Sequence, residues 1–379
     1  MTIAVDATHF TGVSGIETYA RNLVRAFATQ FPSDRIVLVT TRGKAADVGA
    51  IVRDLPNVRV DARLLHPLAL GRQSAGFVHW LRQRAWRRVA RSCDAVHFPD
   101  PLHYVDGIPH AVVTVHDIIP AYPESWAESP TSRSQVELLR RIARGAARII
   151  VPSNFVKHEL ARAFQIDAAR IHVVYEAANA RFTPVARDRR TLERSGIEAS
   201  NEFFLCVGRL DPRKNLERTI EAFAKMAHQS PDLRLVIAGH GRDEIVSTLS
   251  ERAAANGVGD RVLFLSGASD DDLIQLYSGA IALVFVSLSE GFGLPAIEAM
   301  QCGCPVIASN TSSLAEIVGD AGTRVDPLDV VAIADAMRTL AGDAAARASL
   351  RAAGIAHASD FTWERAARES RMAFESARH

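Results

Sequence analysis

The sequence predicts an α/β protein made of two doubly wound parallel-sheet domains. Short apolar runs rich in Val and Ile alternate with longer amphipathic helical patterns, which is how βαβ units with strands buried on both faces read. The alternation runs through once and restarts near residue 203. A chain of 379 residues with 48% hydrophobic content also exceeds one ordinary core.

Taken in order, the first half carries candidate strands at "TIAVDA" (2–7), "RIVLVT" (35–40), "DAVHFP" (94–99), "AVVTVHD" (111–117), "RIIVPS" (148–153) and "IHVVYE" (171–176). The second half carries "FFLCVG" (203–208), "LRLVIAG" (233–239), "RVLFLS" (261–266), "IALVFVS" (281–287) and "PVIASN" (305–310). Between them, 181–201 has no strong apolar period and reads as a linker with a polar helix, so the division is expected at 185/186. Two such domains should face each other across a cleft. Ligands of these sheets bind beyond the carboxyl ends of the strands, so the loops after the strands are where chemistry is expected.

Charge and cysteine content narrow the function classes. The 44 Lys+Arg against 43 Asp+Glu give no basis for a nucleic-acid partner. The charge is uneven, with 23 basic and 16 acidic residues in 1–185 against 21 and 27 in 186–379. Cys93, Cys206, Cys302 and Cys304 form neither a disulfide framework nor a zinc knuckle, which points to a reducing compartment. The N-terminus lacks the pattern of a signal peptide and no stretch approaches eighteen uninterrupted apolar residues, so the expectation is a cytoplasmic protein.

Four strand-end loops carry candidate site residues. In "SLSEGFGLPAIEAM" (287–300), Gly291 and Gly293 permit close backbone approach, Pro295 suits a first helical turn, and a helix is expected to start near Leu294. Its amides and positive dipole end make a phosphate site. Glu298 projects beside that site and Glu290 lies on the turn before it, placed to accept hydrogen bonds from sugar or ribose hydroxyls. Read alone, the stretch fits equally well a non-functional alternative, with Glu298 a dipole-favoured acid near a helix start and Glu290 a solvated loop residue.

In "VGRLDPRKNLERTIEAF" (207–223), Gly208 permits a sharp turn, and Arg209 and Lys214 flank it as a cationic pair for a leaving diphosphate. In "TVHDIIP" (114–120), His116 and Asp117 follow a strand, where an imidazole can bond a sugar hydroxyl or move a proton; a loop-capping pair is the alternative. Gly12 and Gly15 in "THFTGVSGIETYARNL" follow the first strand, with a spacing unlike the dinucleotide fingerprint, which weakens a dehydrogenase reading.

Together, "TGVSGIETYARNL", "TVHDIIP", "VGRLDPRKNL", "YSGAIALVFVSLSEGFGLPAIEAMQCGCPVIAS" and "SSLAEIVGDAG" resemble the retaining glycosyltransferases of family 4, which have the two-domain GT-B architecture. The resemblance spans nearly the whole chain, and the two glutamates seven residues apart around Gly-Phe-Gly-Leu-Pro are its most specific element. It implies that Glu290 lies by the donor sugar and Glu298 by the ribose. It implies that Arg209 and Lys214 grip the diphosphate with the amides of the Gly291–Phe292–Gly293–Leu294 turn, and that His116 contacts the transferred sugar. The Gly12–Gly15 loop would lie near the phosphates and acceptor. The implied reaction moves a sugar from a nucleotide diphosphate to a hydroxyl with retention, by same-face substitution rather than through a Glu290 nucleophile.

The last segment, about 361–379, resembles the family's C-terminal helix that packs back on the first domain, with Trp363 as a hinge marker. The stretch "VVYEAANARF" departs from the commoner Asn-Gly turn.

"DPRKN" and "VHDIIPAYPESW" look most like bacterial mannosyl- and deoxymannosyltransferases of surface polysaccharide assembly, implying GDP-mannose or a GDP-deoxyhexose and a glycan or lipid-linked acceptor. A UDP-sugar donor, a non-catalytic nucleotide-sugar-binding subunit, and a phosphorylase or epimerase stay open. No cofactor or metal is expected: Asp270, Asp271 and Asp272 follow Ser269 as a helix start rather than a metal site. Arg84, Arg87, Arg88 and Arg91, spaced as one helical stripe with Trp80 and Trp86 nearby, suit an anionic membrane surface, and Arg140, Arg144 and Arg148 suggest a second stripe. Solvated arginines paired with local acids are the equal alternative.

Overall fold

A computed structural model describes the chain apart from residues 13–14, 65–74, 119–129, 187, 189–191, 194–195, 199–201, 228–229 and 379; of 75–79 and 130–132 it describes the backbone alone. The expected linker helix (181–201) and the quoted stretches at 13–14 and 119–126 fall wholly or in part outside the described residues. The chain divides into two units, Met1–Glu176 with Thr362–His379, and Ala177–Phe361.

The first unit holds seven strands: β1 (Thr2–Asp6), β2 (Arg35–Thr41), β3 (Val58–Leu64), β4 (Ala95–Phe98), β5 (Ala111–Thr114), β6 (Arg148–Val151) and β7 (Ile171–Val173). They pair in the order β3-β2-β1-β4-β5-β6-β7, all parallel. Alternate residues feed two cores, as a sheet covered on both faces requires. Ala4, Val37, Val96 and Val113 join Trp86 and Ile142 on one face. Ile3, Leu38, Ala95 and Val112 join Tyr19, Leu23 and Phe27 on the other. The helix Trp363–Ser376 closes that second face with Ala366, Ala367, Ala373 and Phe374, and Thr362 Oγ1 caps it by accepting from Arg365 N at 3.1 Å. Trp363 lies against Tyr19, with ring centroids 5.9 Å apart.

The second unit repeats the plan with β8 (Phe203–Val207), β9 (Arg234–Ala238), β10 (Val262–Leu265), β11 (Ala282–Phe285), β12 (Val306–Ser309) and β13 (Thr323–Val325). Their order is β10-β9-β8-β11-β12-β13. Between β8 and β9, the helix Leu216–Ala227 turns Leu216, Ile220, Phe223 and Ala227 inward. Each large side chain buried this way contributes about 1.5–3 kcal/mol.

Three sequence expectations are corrected. β3 and β13 were not foreseen: both are sheet edges, β3 reads "VRVDARL" with charges on alternate positions, and β13 is three residues long. The division falls at Glu176/Ala177 rather than 185/186, because the intervening segment is tied to the second unit. Phe182 packs edge-on against Tyr277, Arg181 pairs with Asp270 at 3.5 Å and with Asp271, and Val185 N donates to Ser278 Oγ at 3.2 Å. Arg148 opens β6, beyond the helix Pro130–Gly145, so it forms no helical stripe with Arg140 and Arg144.

Candidate active site

In the second sheet the strand order reverses between β8 and β11, so the loops leaving these strands open the crevice where such folds take ligands. The loop after β8 turns at Gly208, whose φ of +134° only glycine adopts readily. A Cβ there would also sit 3.1 Å from Lys214 Cε, and one at Gly239 would lie 1.8 Å from the Gly208 carbonyl oxygen. The chain then makes one short turn, Pro212–Lys214, which ends on Asn215 in the left-handed conformation. Buried Asn215 donates from Nδ2 to Val286 O (3.0 Å) and Pro327 O (2.7 Å), stitching three strand-end loops together.

This stitching delivers Lys214 and Arg213 to Glu290. Lys214 Nζ is 2.7 Å from Oε1 and Arg213 donates from NH1 to Oε2 at 2.5 Å. Arg213 also donates to the Ser289 carbonyl at 2.8 Å, and Lys214 Nζ lies 4.6 Å from the centroid of the Phe285 ring. Glu290 is only 7% exposed. Burial alone would raise its carboxyl, but the Lys214 and Arg213 charges outweigh burial and hold it below the usual range. The turn itself is pinned from the helix Ser312–Val318: Glu290 N donates to Ser312 Oγ at 3.3 Å, and Ser313 Oγ lies 2.9 Å from both Glu290 O and Phe292 O. Two buried polar atoms of this cluster, Asp211 Oδ1 and Ser289 Oγ, have no hydrogen-bond partner among the described residues.

The helix begins where the sequence places it, as Leu294–Gln301 with Gly293 at its cap and Pro295 in its first turn. Gly293 has φ +114°, and a Cβ on it would lie 2.6 Å from Leu314 Cδ2. Gly291 is buried, and the Phe292 ring is turned into the protein against Phe361 at 5.9 Å. Glu298, in the second turn, accepts from Tyr277 Oη at 3.0 Å. Burial pushes its carboxyl up to about 7; the Tyr277 bond opposes this and the Asp270 charge adds to it. The two glutamates are thus in opposite electrostatic states, one clamped as an anion and one titrating near neutrality.

Arg209 stands apart from this cluster. Its side chain is 69% exposed, with Nε 3.3 Å from Asp211 Oδ2. Sequence reasoning paired Arg209 with Lys214; the structure pairs Lys214 with Arg213 on Glu290. Arg213, Asn215, Tyr277, Ser312 and Ser313 were not singled out. Only the unusual density "DPRKN" and the "TSS" run after a strand hinted at them.

In the first unit, His116 follows β5 and both its ring nitrogens are occupied. Nδ1 lies 2.9 Å from Glu176 Oε1 and Nε2 lies 2.9 Å from the Pro99 carbonyl oxygen. With two acceptors the ring is favoured as an imidazolium. Burial lowers its affinity for the proton, but the Glu176 carboxylate outweighs burial and raises the group above its usual range. Beneath it, Thr114 Oγ1 meets His97 Nε2 (2.8 Å) and Tyr19 Oη (3.1 Å), and burial drives His97 down to about 3. Asp117 is half-buried beside His116. Gly12 lies under Glu17, which a Cβ would strike at 2.4 Å, and its carbonyl accepts from Arg21 NH1 at 2.6 Å. Gly15 opens the helix Gly15–Gln30 with open space at its Cβ position.

Arg84, Arg87, Arg88 and Arg91 are exposed on the helix Ala75–Ala90 and just beyond it, and Arg84 lies over the half-exposed Trp80 ring at 5.5 Å. Trp86 is a correction: it is fully buried against Phe98, at 5.0 Å. Ser269 and Asp272 form a capping box, and Asp270 and Asp271 face Arg181. Among the described residues no helix is long and apolar enough to cross a membrane.

Two Rossmann-like units, the second with a cationic strand-end site, define the architecture, and comparison with known proteins gives the class of protein. The family Glycosyl transferases group 1 matches residues 188–357 and Glycosyltransferase Family 4 matches residues 13–181. An O-antigen chain mannosyltransferase B of Escherichia coli is 31% identical over 324 residues, 83% of this chain and 79% of that protein. A D-inositol 3-phosphate glycosyltransferase of Salinispora arenicola (strain CNS-205) is 29% identical over 387 residues, 93% and 84% of the two chains. The crystal structure of Anabaena HepE in complex with UDP and glucose matches with a TM-score of 0.75 at 20% identity, covering 98% of each chain. The chain belongs to the family 4 glycosyltransferases; it is a glycosyltransferase of GT-B fold.

Proposed function

We propose that this enzyme moves a hexose, mannose from GDP-mannose or a GDP-deoxyhexose, to a hydroxyl of a lipid-linked or oligosaccharide acceptor in surface polysaccharide synthesis, with the anomeric configuration retained. The observation that carries the reading is the cluster of Lys214, Arg213 and Glu290 beside the glycine-capped helix start. Arg209, the exposed cation of that loop, closes on the diphosphate together with Lys214, whose remaining N–H donors are free for it while it and Arg213 keep Glu290. These charges take the place of a metal at the leaving group. Amides of the Gly291–Leu294 turn assist, and Glu298 accepts from the ribose. The mannosyl donor is supported by the O-antigen mannosyltransferase relative.

A carboxylate whose two oxygens are already bonded to cations is a weak nucleophile, which favours same-face substitution over a covalent Glu290 intermediate. In that step the bond from the anomeric carbon to the diphosphate oxygen breaks, the acceptor oxygen bonds the same face, and its proton passes to the departing phosphate. His116 reaches a sugar hydroxyl by exchanging the Pro99 carbonyl for it. The basic stripe Arg84, Arg87, Arg88 and Arg91 docks the enzyme peripherally on the inner face of an anionic membrane, where a lipid-linked acceptor resides.

The test is a transfer assay with GDP-mannose, GDP-deoxyhexoses and UDP-sugars on lipid-linked and free acceptors, with the product anomer read by NMR. Transfer from a GDP-sugar with retention is expected. Transfer from UDP-sugars alone, or inversion, contradicts the proposal.

A further inference from the structure

We propose that His9, Asp100 and His103 form a binding site for a divalent transition metal of the zinc type at the carboxyl edge of the first sheet. One possible ligand atom from each of the three lies within 4.8 Å of the others. The topology explains the meeting: His9 follows β1, Asp100 and His103 follow β4, and these two strands are neighbours where the strand order reverses. The two imidazole rings are 4.2 Å apart between centroids.

The surroundings are those that metal-binding histidines use. His103 Nδ1 lies 3.3 Å from Asp6 Oδ1 and His9 Nδ1 lies 3.3 Å from Glu17 Oε1. A carboxylate that accepts a hydrogen bond from Nδ1–H fixes the neutral tautomer and leaves Nε2 with a free lone pair. Asp100 accepts from Leu102 N at 2.9 Å through Oδ1, which leaves Oδ2 for a cation. Asp6 ties this site to the buried edge of β1. Asp6 is 5% exposed; its Oδ1 also accepts from Thr8 N at 2.9 Å and its Oδ2 pairs with Arg82 NH2 at 3.8 Å, so the carboxylate that orients His103 is itself held in place.

Two imidazoles and one carboxylate with an open fourth position match the open zinc sites, and the nitrogen ligands disfavour Mg²⁺ and Ca²⁺. The site is remote in sequence from the diphosphate cluster and does not rest on the proposed donor.

The experiment titrates Co²⁺ into the chelator-treated full-length protein, reads its visible d–d absorption, and displaces it with Zn²⁺. One equivalent in a four-coordinate spectrum, with a rise in melting temperature, is expected. The His9→Gln/His103→Gln variant should lose that equivalent, and Asp6→Asn should weaken it by about 10–100-fold. Asp100→Asn retains an oxygen for the Leu102 amide and should also weaken it. The metal-free melting temperature of each variant shows that it folds. Absence of stoichiometric binding, an unchanged Co²⁺ spectrum in the double variant, or equal displacement by Mg²⁺ overturns the assignment.

Discussion

Lys214 Nζ and Glu290 Oε1 lie 2.7 Å apart although 76 residues separate them in the chain. The contact joins the two loops that flank the reversal of strand order, and Arg213 closes the same carboxylate from its other oxygen. Cation roles can therefore be separated by burial. Arg209→Ala should leave stability within about 0.5 kcal/mol, as exposed sites do, while lowering turnover by about 10²-fold or more. Arg213→Ala should cost stability as well, on the order of 3 kcal/mol, because it removes one partner from a buried anion. Urea unfolding and steady-state kinetics on both variants check this; equal stability losses would contradict it.

Glu298 sets a pH dependence of its own. Its folded value of about 7 lies above the 4.5 of the free carboxyl, so the folded state holds the proton more tightly. Stability from this group is highest at low pH and is lost as pH rises between those two values, by at most roughly 3 kcal/mol. Glu298→Gln should flatten the slope between pH 5 and 7, measured by chemical unfolding. It should also remove any rise in nucleotide affinity through neutral pH, since a ribose diol bonds best to the ionised carboxylate.

The His116–Glu176 pair has a pH dependence of the same sign. His116 is raised above 6.5, so its contribution is complete below that pH and is lost as pH rises through the raised folded value. In Glu176→Gln, burial is opposed only by the Pro99 carbonyl and the Asp117 charge, and the His116 titration followed by NMR should move down from its wild-type position. An unmoved titration would show that Glu176 does not control the ring.

The exposed stripe Arg84, Arg87, Arg88 and Arg91 should bring the protein down with anionic liposomes at low salt and release it at high salt, each charge contributing roughly 1 kcal/mol. The fourfold Gln variant should stay in the supernatant. Sedimentation that ignores lipid charge removes this role.

Strands buried on both faces were legible because their apolar runs need no tertiary information; β1, β5 and β11 are examples. Two of the four edge strands were not: β3 keeps Arg59, Asp61 and Arg63 on alternate positions, so its pattern resembles a loop, and β13 has only three residues, whereas the edges β7 and β10 are apolar enough to read. The same limit applies at the site. Gly208, Gly293 and the helix start were readable from backbone demands alone. That Arg213 rather than Arg209 meets Glu290 was not, because it depends on the short turn Pro212–Lys214 and on the Asn215 stitch across three loops. Glu176 was not singled out, because its partner His116 lies 60 residues away.

The central claim is that a leaving diphosphate is held in the second unit by Arg209 and Lys214. Calorimetric titration of GDP and UDP into the wild-type protein and an Arg209→Ala/Lys214→Ala variant tests it most directly. The account predicts binding to the wild type, tighter for GDP, and a loss of at least 100-fold in the double variant, which corresponds to about 2.7 kcal/mol. Undiminished diphosphate binding by a folded double variant would contradict it.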